Sequence, residues 1–160
     1  MDFQLTDEQQ LWKSTLDSFM EREIGREYIR KHDESREFPE EGYRKIADRG
    51  WLGMLIPEDQ GGLGADAVMY AIFCEAIAKF SLDFAAGVMT SMFTATNIAS
   101  HGTNAQREQF LPAFLAGDTK FSVAMTEPDS GSDAAGAQTK AVLENGEWRI
   151  NGNKVFCSGA

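Results

Sequence analysis

Three hydroxyl side chains, Thr126, Ser130 and Ser132, stand in the stretch TEPDSGSDAAG, residues 126–136, beside the carboxylates of Glu127, Asp129 and Asp133. Pro128 lacks a backbone donor, and Gly131 and Gly136 weaken both helix and sheet, so the stretch reads as a loop with exposed N–H groups. Donors without bulk, placed directly after the apolar run FSVAM, suit a phosphate or the carbonyl edge of a flat ring. The same composition also makes an ordinary turn in which Asp129 and Asp133 close local bonds. No Gly-Lys-Ser/Thr follows and no GxGxxG is present, so neither common nucleotide motif decides between the two readings.

Little else in the chain offers chemistry. Cys74 and Cys157 match no metal or redox spacing and read as small apolar fillers. His32 and His101 lack the companions of a zinc site. The net charge of −10 argues against nucleic acid or an anionic bilayer as a general partner, though not against a small anion at a locally positive site. No apolar stretch reaches the roughly 18 residues of a membrane span, and the opening MDFQLTDEQQ carries no signal-peptide pattern. A cytoplasmic location is the expectation.

The elements that must position the loop are mostly helical. Thr6 and Gln9 form a capping box, and Leu11, Trp12, Leu16, Phe19, Met20 and Ile24 recur at helical spacing as far as Gly25. A second helix is predicted from Pro39 to Gly50. WLGMLIPEDQGGLGAD is irregular. Ala65–Phe80 is apolar on a broad face. Leu82–Ala99 is apolar nearly all round, with only small polar residues such as Thr90, Ser91, Thr94 and Asn97, which predicts a central, buried helix. A second capping box, Thr103 and Gln106, opens a helix that Pro112 either kinks or ends, before Gly117.

At Asp118 the character changes. FSVAM has strand composition, Asn145-Gly146 is a hairpin signal within KAVLENGEWRI, and NGNKVFCS offers a further turn and strand. The expected class is therefore mainly α: an up-and-down helical domain over 1–117, then over 118–160 the first strands of an antiparallel, barrel-like domain. Three or four strands without a partner sheet leave edges open, which predicts association and reads as the front of a longer protein.

AMTEPDSGSDAAG, residues 124–136, resembles the signature of the acyl-CoA dehydrogenase family: an apolar residue, Thr or Ser, Glu, Pro, then Gly-Ser-Asp and a small residue at fixed spacing. DFQLTDEQQLW resembles that family's first helix, LGMLIPEDQGGLGAD a loop between early helices, and QREQFLPAFLAGDTKFSVAMTEP its crossing from helical to β-domain. EWRINGNKVFCSGA resembles the hairpin that returns to the flavin. The resemblance implies an FAD enzyme, commonly a homotetramer, that dehydrogenates acyl-CoA thioesters at the α,β bond. A carboxylate takes the α-proton, the β-hydride passes to flavin N5, and an electron-transfer flavoprotein is then reduced. The carboxylate comes from later in such chains, so 160 residues alone are expected to be inactive and to hold FAD poorly.

By motif position the resemblance implies that Phe121, Val123, Met125 and Thr126 lie along the strand meeting the flavin, with Met125 and Thr126 at the ring edge. Gly131 and Ser132 serve the pyrophosphate, and Ser132 also reaches the acyl-CoA. Phe156 packs on the ring face where Trp is frequent, and Cys157 and Ser158 border the ring. Glu127 and Asp133 are expected to hold the loop by hydrogen bonds. Met89, Met92 and Phe93 read as bundle core or as the floor of an acyl tunnel, with room for a chain near residues 84–87. A reductase or other flavin-dependent relative of the same fold, and a non-catalytic helical binding module, remain as alternatives.

Overall fold

The computed structural model describes residues 4–159. Six α-helices come first: α1 (Asp7–Phe19), α2 (Arg26–Ser35), α3 (Glu40–Asp48), α4 (Ala67–Ala78), α5 (Leu82–His101) and α6 (Asn104–Leu115). An antiparallel hairpin, β1 (Lys140–Glu144) and β2 (Glu147–Asn151), follows.

Both capping boxes form as the sequence predicts. Thr6 Oγ1 accepts from Gln9 N while the Gln9 side chain accepts from Thr6 N, and Thr103 and Gln106 repeat the arrangement. The first helix continues to Gly25 by widening into a π-turn over Met20–Ile24, where Gly25 N donates to Met20 O. Pro112 stays inside α6. The stretch 26–35 is also helical, which its composition does not announce: α2 buries only Ile29 and carries charge on the remainder.

Leu16, Met20, Tyr43, Phe73, Phe84 and Phe114 are among the fully buried side chains of one continuous core. Each contributes on the order of 1.5–3 kcal/mol of transfer free energy. The Trp12 indole donates to the Met69 carbonyl at 3.0 Å and pins α1 to α4. Helix α5 buries Phe84, Ala85, Val88, Ser91, Met92, Ala95 and Ala99, but Leu82 and Phe93 remain exposed on its other side. It is therefore covered on one face and not all round. The space beside Gly87 holds the Phe38 ring, whose Cε2 lies 2.5 Å from where a Cβ would stand. Met92 belongs to the core, Met89 is half-buried, and Phe93 faces out.

The β-region is smaller than its composition suggests. FSVAM and NKVFCS do not form strands of a sheet; the two segments meet in an isolated bridge between Val123 and Ser158. β-branched and aromatic residues favour a pleated surface, but a ladder persists only where neighbours supply both partners and cover.

Between α3 and α4 the chain folds on itself. Gly62 N donates to Pro57 O, Leu63 N to Gly53 O, Gly64 N to Ile56 O and Ala65 N to Met54 O. A Cβ at Gly62 would stand 2.0 Å from the Ile56 carbonyl oxygen, which is backbone and cannot rotate aside. Gly62→Ala is therefore expected to destabilise the chain by about 2–3 kcal/mol, read as a lowered midpoint in chemical denaturation. An unchanged midpoint would show that this loop tolerates expansion.

Candidate functional site

Residues 118–126 leave the helical body along a path fixed by several unrelated side chains. Arg44 donates to the Ala116 carbonyl at 2.9 Å and to Asp118 at 2.7 Å, and the Lys120 ammonium pairs with Glu40. The Tyr43 hydroxyl donates to the Thr119 carbonyl at 3.4 Å. Burial pushes that phenol up to about 12, so it stays a donor across the physiological range. The Phe121 ring stacks on Phe114 with centroids 5.6 Å apart and meets Phe110 edge-on at 6.5 Å.

Ser91 completes the attachment. Its hydroxyl is buried in the middle of α5, donates to Phe121 O at 3.1 Å and accepts from Phe121 N at 3.0 Å. One side chain thus satisfies both backbone polar groups of the residue that begins the FSVAM run.

Beyond that point two extended segments run antiparallel, joined by Val123 N to Ser158 O at 3.0 Å and Val155 N to Thr126 O at 2.9 Å. Of the sequence-predicted site residues, Val123, Met125 and Thr126 are brought beside Val155, Phe156 and Ser158 by these bonds. Met125 is 64% exposed and Phe156 88% exposed. Phe156 also has a left-handed backbone, φ 55°, which a bulky residue adopts only when its surroundings impose it. The hydroxyls of Thr126 and Ser158 are outside every side-chain hydrogen bond among the described residues, as is that of Ser132. Phe121 behaves differently: its ring is committed to α6.

The loop 126–136 is built around Glu127. Glu127 N donates to Ser130 O at 2.8 Å and Ser130 N to Glu127 O at 3.2 Å, with Pro128 and Asp129 at the corner of the turn. The carboxylate is 6% exposed and accepts from Gln138 N (2.6 Å), Thr139 N (3.0 Å) and the Lys154 ammonium (2.8 Å), which also donates to Met125 O at 3.0 Å. A carboxylate so enclosed is a structural anchor, as the sequence suggested, and no free base. Asp133 holds the loop through its carbonyl, which accepts from Ser130 Oγ and Gly136 N.

Sequence reasoning did not find Lys154 or Ser91. A lone Lys in NGNKVF and one Ser among the small polar residues of an apolar helix were the available signals, and neither names its partner.

Gly131 bears on whether a dinucleotide fits. Its backbone is not left-handed, and a Cβ there would meet nothing within 4 Å. Nothing in the chain itself requires glycine at that position, whereas a ligand approaching the backbone closely would. An exposed ring, unpartnered hydroxyls and an open glycine on a tethered loop form a donor set that fits a flavin dinucleotide.

The acyl-CoA dehydrogenase N-terminal domain model matches residues 6–118, and the acyl-CoA dehydrogenase middle domain model matches residues 122–160. The chain belongs to the acyl-CoA dehydrogenase family. It is 35% identical over 159 residues to the short-chain specific acyl-CoA dehydrogenase of Clostridium acetobutylicum, covering 98% of this chain and 41% of that one. It is 35% identical over 148 residues to a subunit of the caffeyl-CoA reductase-Etf complex of Acetobacterium woodii, covering 89% of this chain and 38% of that one. The butyryl-CoA dehydrogenase structure from Megasphaera elsdenii superposes with a TM-score of 0.82 at 30% identity, over 98% of this chain and 42% of that one. The chain spans about two-fifths of the length of these relatives.

The Lys154 ammonium, with Thr139 and the Gln138 N–H behind it, lowers the Glu127 carboxyl to about 2. Because that value lies below the unfolded one, the contribution of Glu127 is fully present above the usual carboxylate range and is lost as pH falls toward about 2. The amides of Gln138 and Thr139 are expected to lose exchange protection across that acidic window, and Glu127→Gln is expected to expose them already at neutral pH. Equal protection in both proteins would remove Glu127 from this role.

Proposed function

We propose that the chain is the front part of an FAD-dependent acyl-CoA dehydrogenase, in which residues 1–117 form the helical domain and 118–160 begin the β-domain. The observation that carries this reading is Phe156, an exposed aromatic ring held in a left-handed backbone beside the unpartnered hydroxyls of Thr126 and Ser158. Strain of that kind persists where a site needs the ring in place.

FAD, when bound, supplies the acceptor for the hydride leaving the β-carbon of the acyl thioester. The residues of this chain orient and enclose it. The exposed Phe156 ring offers an apolar face, and the Thr126 and Ser158 hydroxyls and the Met125 backbone offer donors at its edge. Cys157 lines the same segment, and Phe121 and Val123 set its position from behind. Gly131 lets phosphate approach the loop backbone, with Ser132 donating to phosphate or to the acyl-CoA. Glu127 keeps its charge and its bonds, so the proton from the α-carbon goes to a carboxylate supplied by sequence beyond Ala160. An electron-transfer flavoprotein is the acceptor we propose, and a homotetramer in the cytoplasm the working form.

A second reading keeps the site and reverses the reaction. The similarity to a caffeyl-CoA reductase subunit favours it, and nothing in the ring-edge donors distinguishes the two directions.

The test uses a protein spanning the full length of its relatives. Flavin absorbance bands are expected, and anaerobic addition of acyl-CoA thioesters of graded length should bleach them. Bands that stay oxidised with every thioester but return after chemical reduction when an enoyl-CoA is added would favour the reductase. Phe156→Gly is expected to weaken FAD binding about tenfold while leaving the folded chain no less stable, because glycine relieves the left-handed backbone. Undiminished flavin affinity in that variant would remove Phe156 from the site, and a colourless protein that takes up no FAD would overturn the whole reading.

A further inference from the structure

Lys154 and Val155, neighbours in the chain, hold two successive carbonyls of the segment opposite. The Lys154 ammonium donates to Met125 O at 3.0 Å, and Val155 N donates to Thr126 O at 2.9 Å. The ammonium also donates to Glu127 Oε1 at 2.8 Å, and its side chain is 26% exposed. Glu127 does not need Lys154 to occupy both of its oxygens. Gln138 N serves Oε2 at 2.6 Å and Thr139 N serves Oε1 at 3.0 Å. The bond to Met125 O is therefore a separate feature of Lys154.

Met125 O and the Thr126 N–H belong to one peptide unit. That unit is trans, so its two polar groups point in opposite directions. The Thr126 N–H donates to no group among the described residues. An ammonium on the carbonyl draws electron density through the peptide resonance and makes the N–H on the other side a stronger donor. Charge-assisted bonds are roughly twice as strong as neutral ones, and each bond in a chain strengthens the next by about 10–30%. Lys154 thus acts across the backbone on whatever accepts from Thr126.

We propose that Lys154 is a positioning residue for the flavin: through the Met125–Thr126 peptide it strengthens a donor at the ring edge and raises the reduction potential of the bound cofactor. This rests on the reading above, in which the Met125–Thr126 backbone faces FAD. A hydride brings two electrons and one proton, so a flavin that accepts one gains a unit of negative charge. Donors at the ring edge hold the more negative form more tightly, and charge near the ring is one of a protein's means of tuning a flavin. Lys154 therefore favours transfer toward the flavin. Glu127 acts in the opposite sense, because its carboxylate partly cancels the ammonium.

The test is a reductive titration against a reference dye, in a protein spanning the full length of its relatives. Lys154→Met keeps the stem and removes the charge. It is expected to shift the two-electron reduction equilibrium toward oxidised flavin about three- to tenfold, or ~15–30 mV. Lys154→Arg keeps the charge and is expected to hold the potential. Glu127→Gln loosens the same loop but leaves the ammonium without its counter-charge, and the potential is expected to stay or rise. A role confined to holding the loop would lower the potential in Lys154→Met and Glu127→Gln alike.

The flavin-free protein gives an independent reading. With threonine selectively labelled, the Thr126 amide proton is expected to move upfield in Lys154→Met, while exchange protection at Val155 N reports that the two segments are still paired. A potential unmoved by Lys154→Met, one lowered equally in Glu127→Gln or in Lys154→Arg, or a Thr126 resonance that stays in place with Val155 protected would overturn the proposal. A protein that takes up no FAD would overturn the reading of the site itself, whereas one that binds FAD at a potential indifferent to Lys154 would overturn this inference alone.

Discussion

The candidate site depends on a bond that lies outside it. Ser91 sits in the middle of a twenty-residue helix, buried, and gives its one hydroxyl to both polar groups of the Phe121 backbone. A segment leaving a helical core needs partners for its first N–H and C=O, since a buried group without one costs about 1–3 kcal/mol. Here the core supplies them from a side chain, with no sheet required. From Phe121 onward the spacing of an extended chain places Val123 against Ser158 and Thr126 against Val155. The exposed ring of Phe156 and the free hydroxyls follow from that placement.

Downstream the same logic recurs with a charge. Glu127 ties its own turn to the amides of Gln138 and Thr139 and to Lys154, and Lys154 ties the whole to the Met125 carbonyl. A buried carboxylate is tolerable because both of its oxygens accept from donors, one of them cationic. Between these two anchors the chain is irregular, yet it has little freedom to move the residues that face a ligand. Irregular backbone fixed by side chains brings hydroxyls and open N–H groups to a surface, where a regular ladder would consume the N–H groups. The family to which the chain belongs uses such a surface for a large, flat cofactor in the reading proposed above.

Much of this was legible in residue order where the signal is local. The two capping boxes start their helices as read, Thr6 with Gln9 and Thr103 with Gln106. Asn145-Gly146 turns the hairpin. Signals that depend on tertiary cover were less reliable. Helix α2 has one buried residue, so its pattern is nearly all polar and gave no period to detect. FSVAM has strand composition but finds only one bridge, because pairing needs a neighbour that composition does not reveal. Helix α5 is apolar around most of its circumference, yet Leu82 and Phe93 face outward. Glu127 was legible as an anchor only through its place in the motif that resembles the family's. Ser91 was not, since a serine among apolar residues has several bland explanations until its partner is seen.

The most direct measurement is amide hydrogen exchange on the chain carrying Ser91→Ala, compared with the unaltered chain. If Ser91 is what fixes the departure of this segment, protection at Phe121 and Val123 should fall by roughly ten- to a hundredfold, in line with about 1–3 kcal/mol for the orphaned groups. Protection in α1 and α4, to which Ser91 makes no hydrogen bond, should hold. Unchanged protection at Phe121 and Val123, or a uniform loss over every helix, would contradict the dependence of the site on that one hydroxyl.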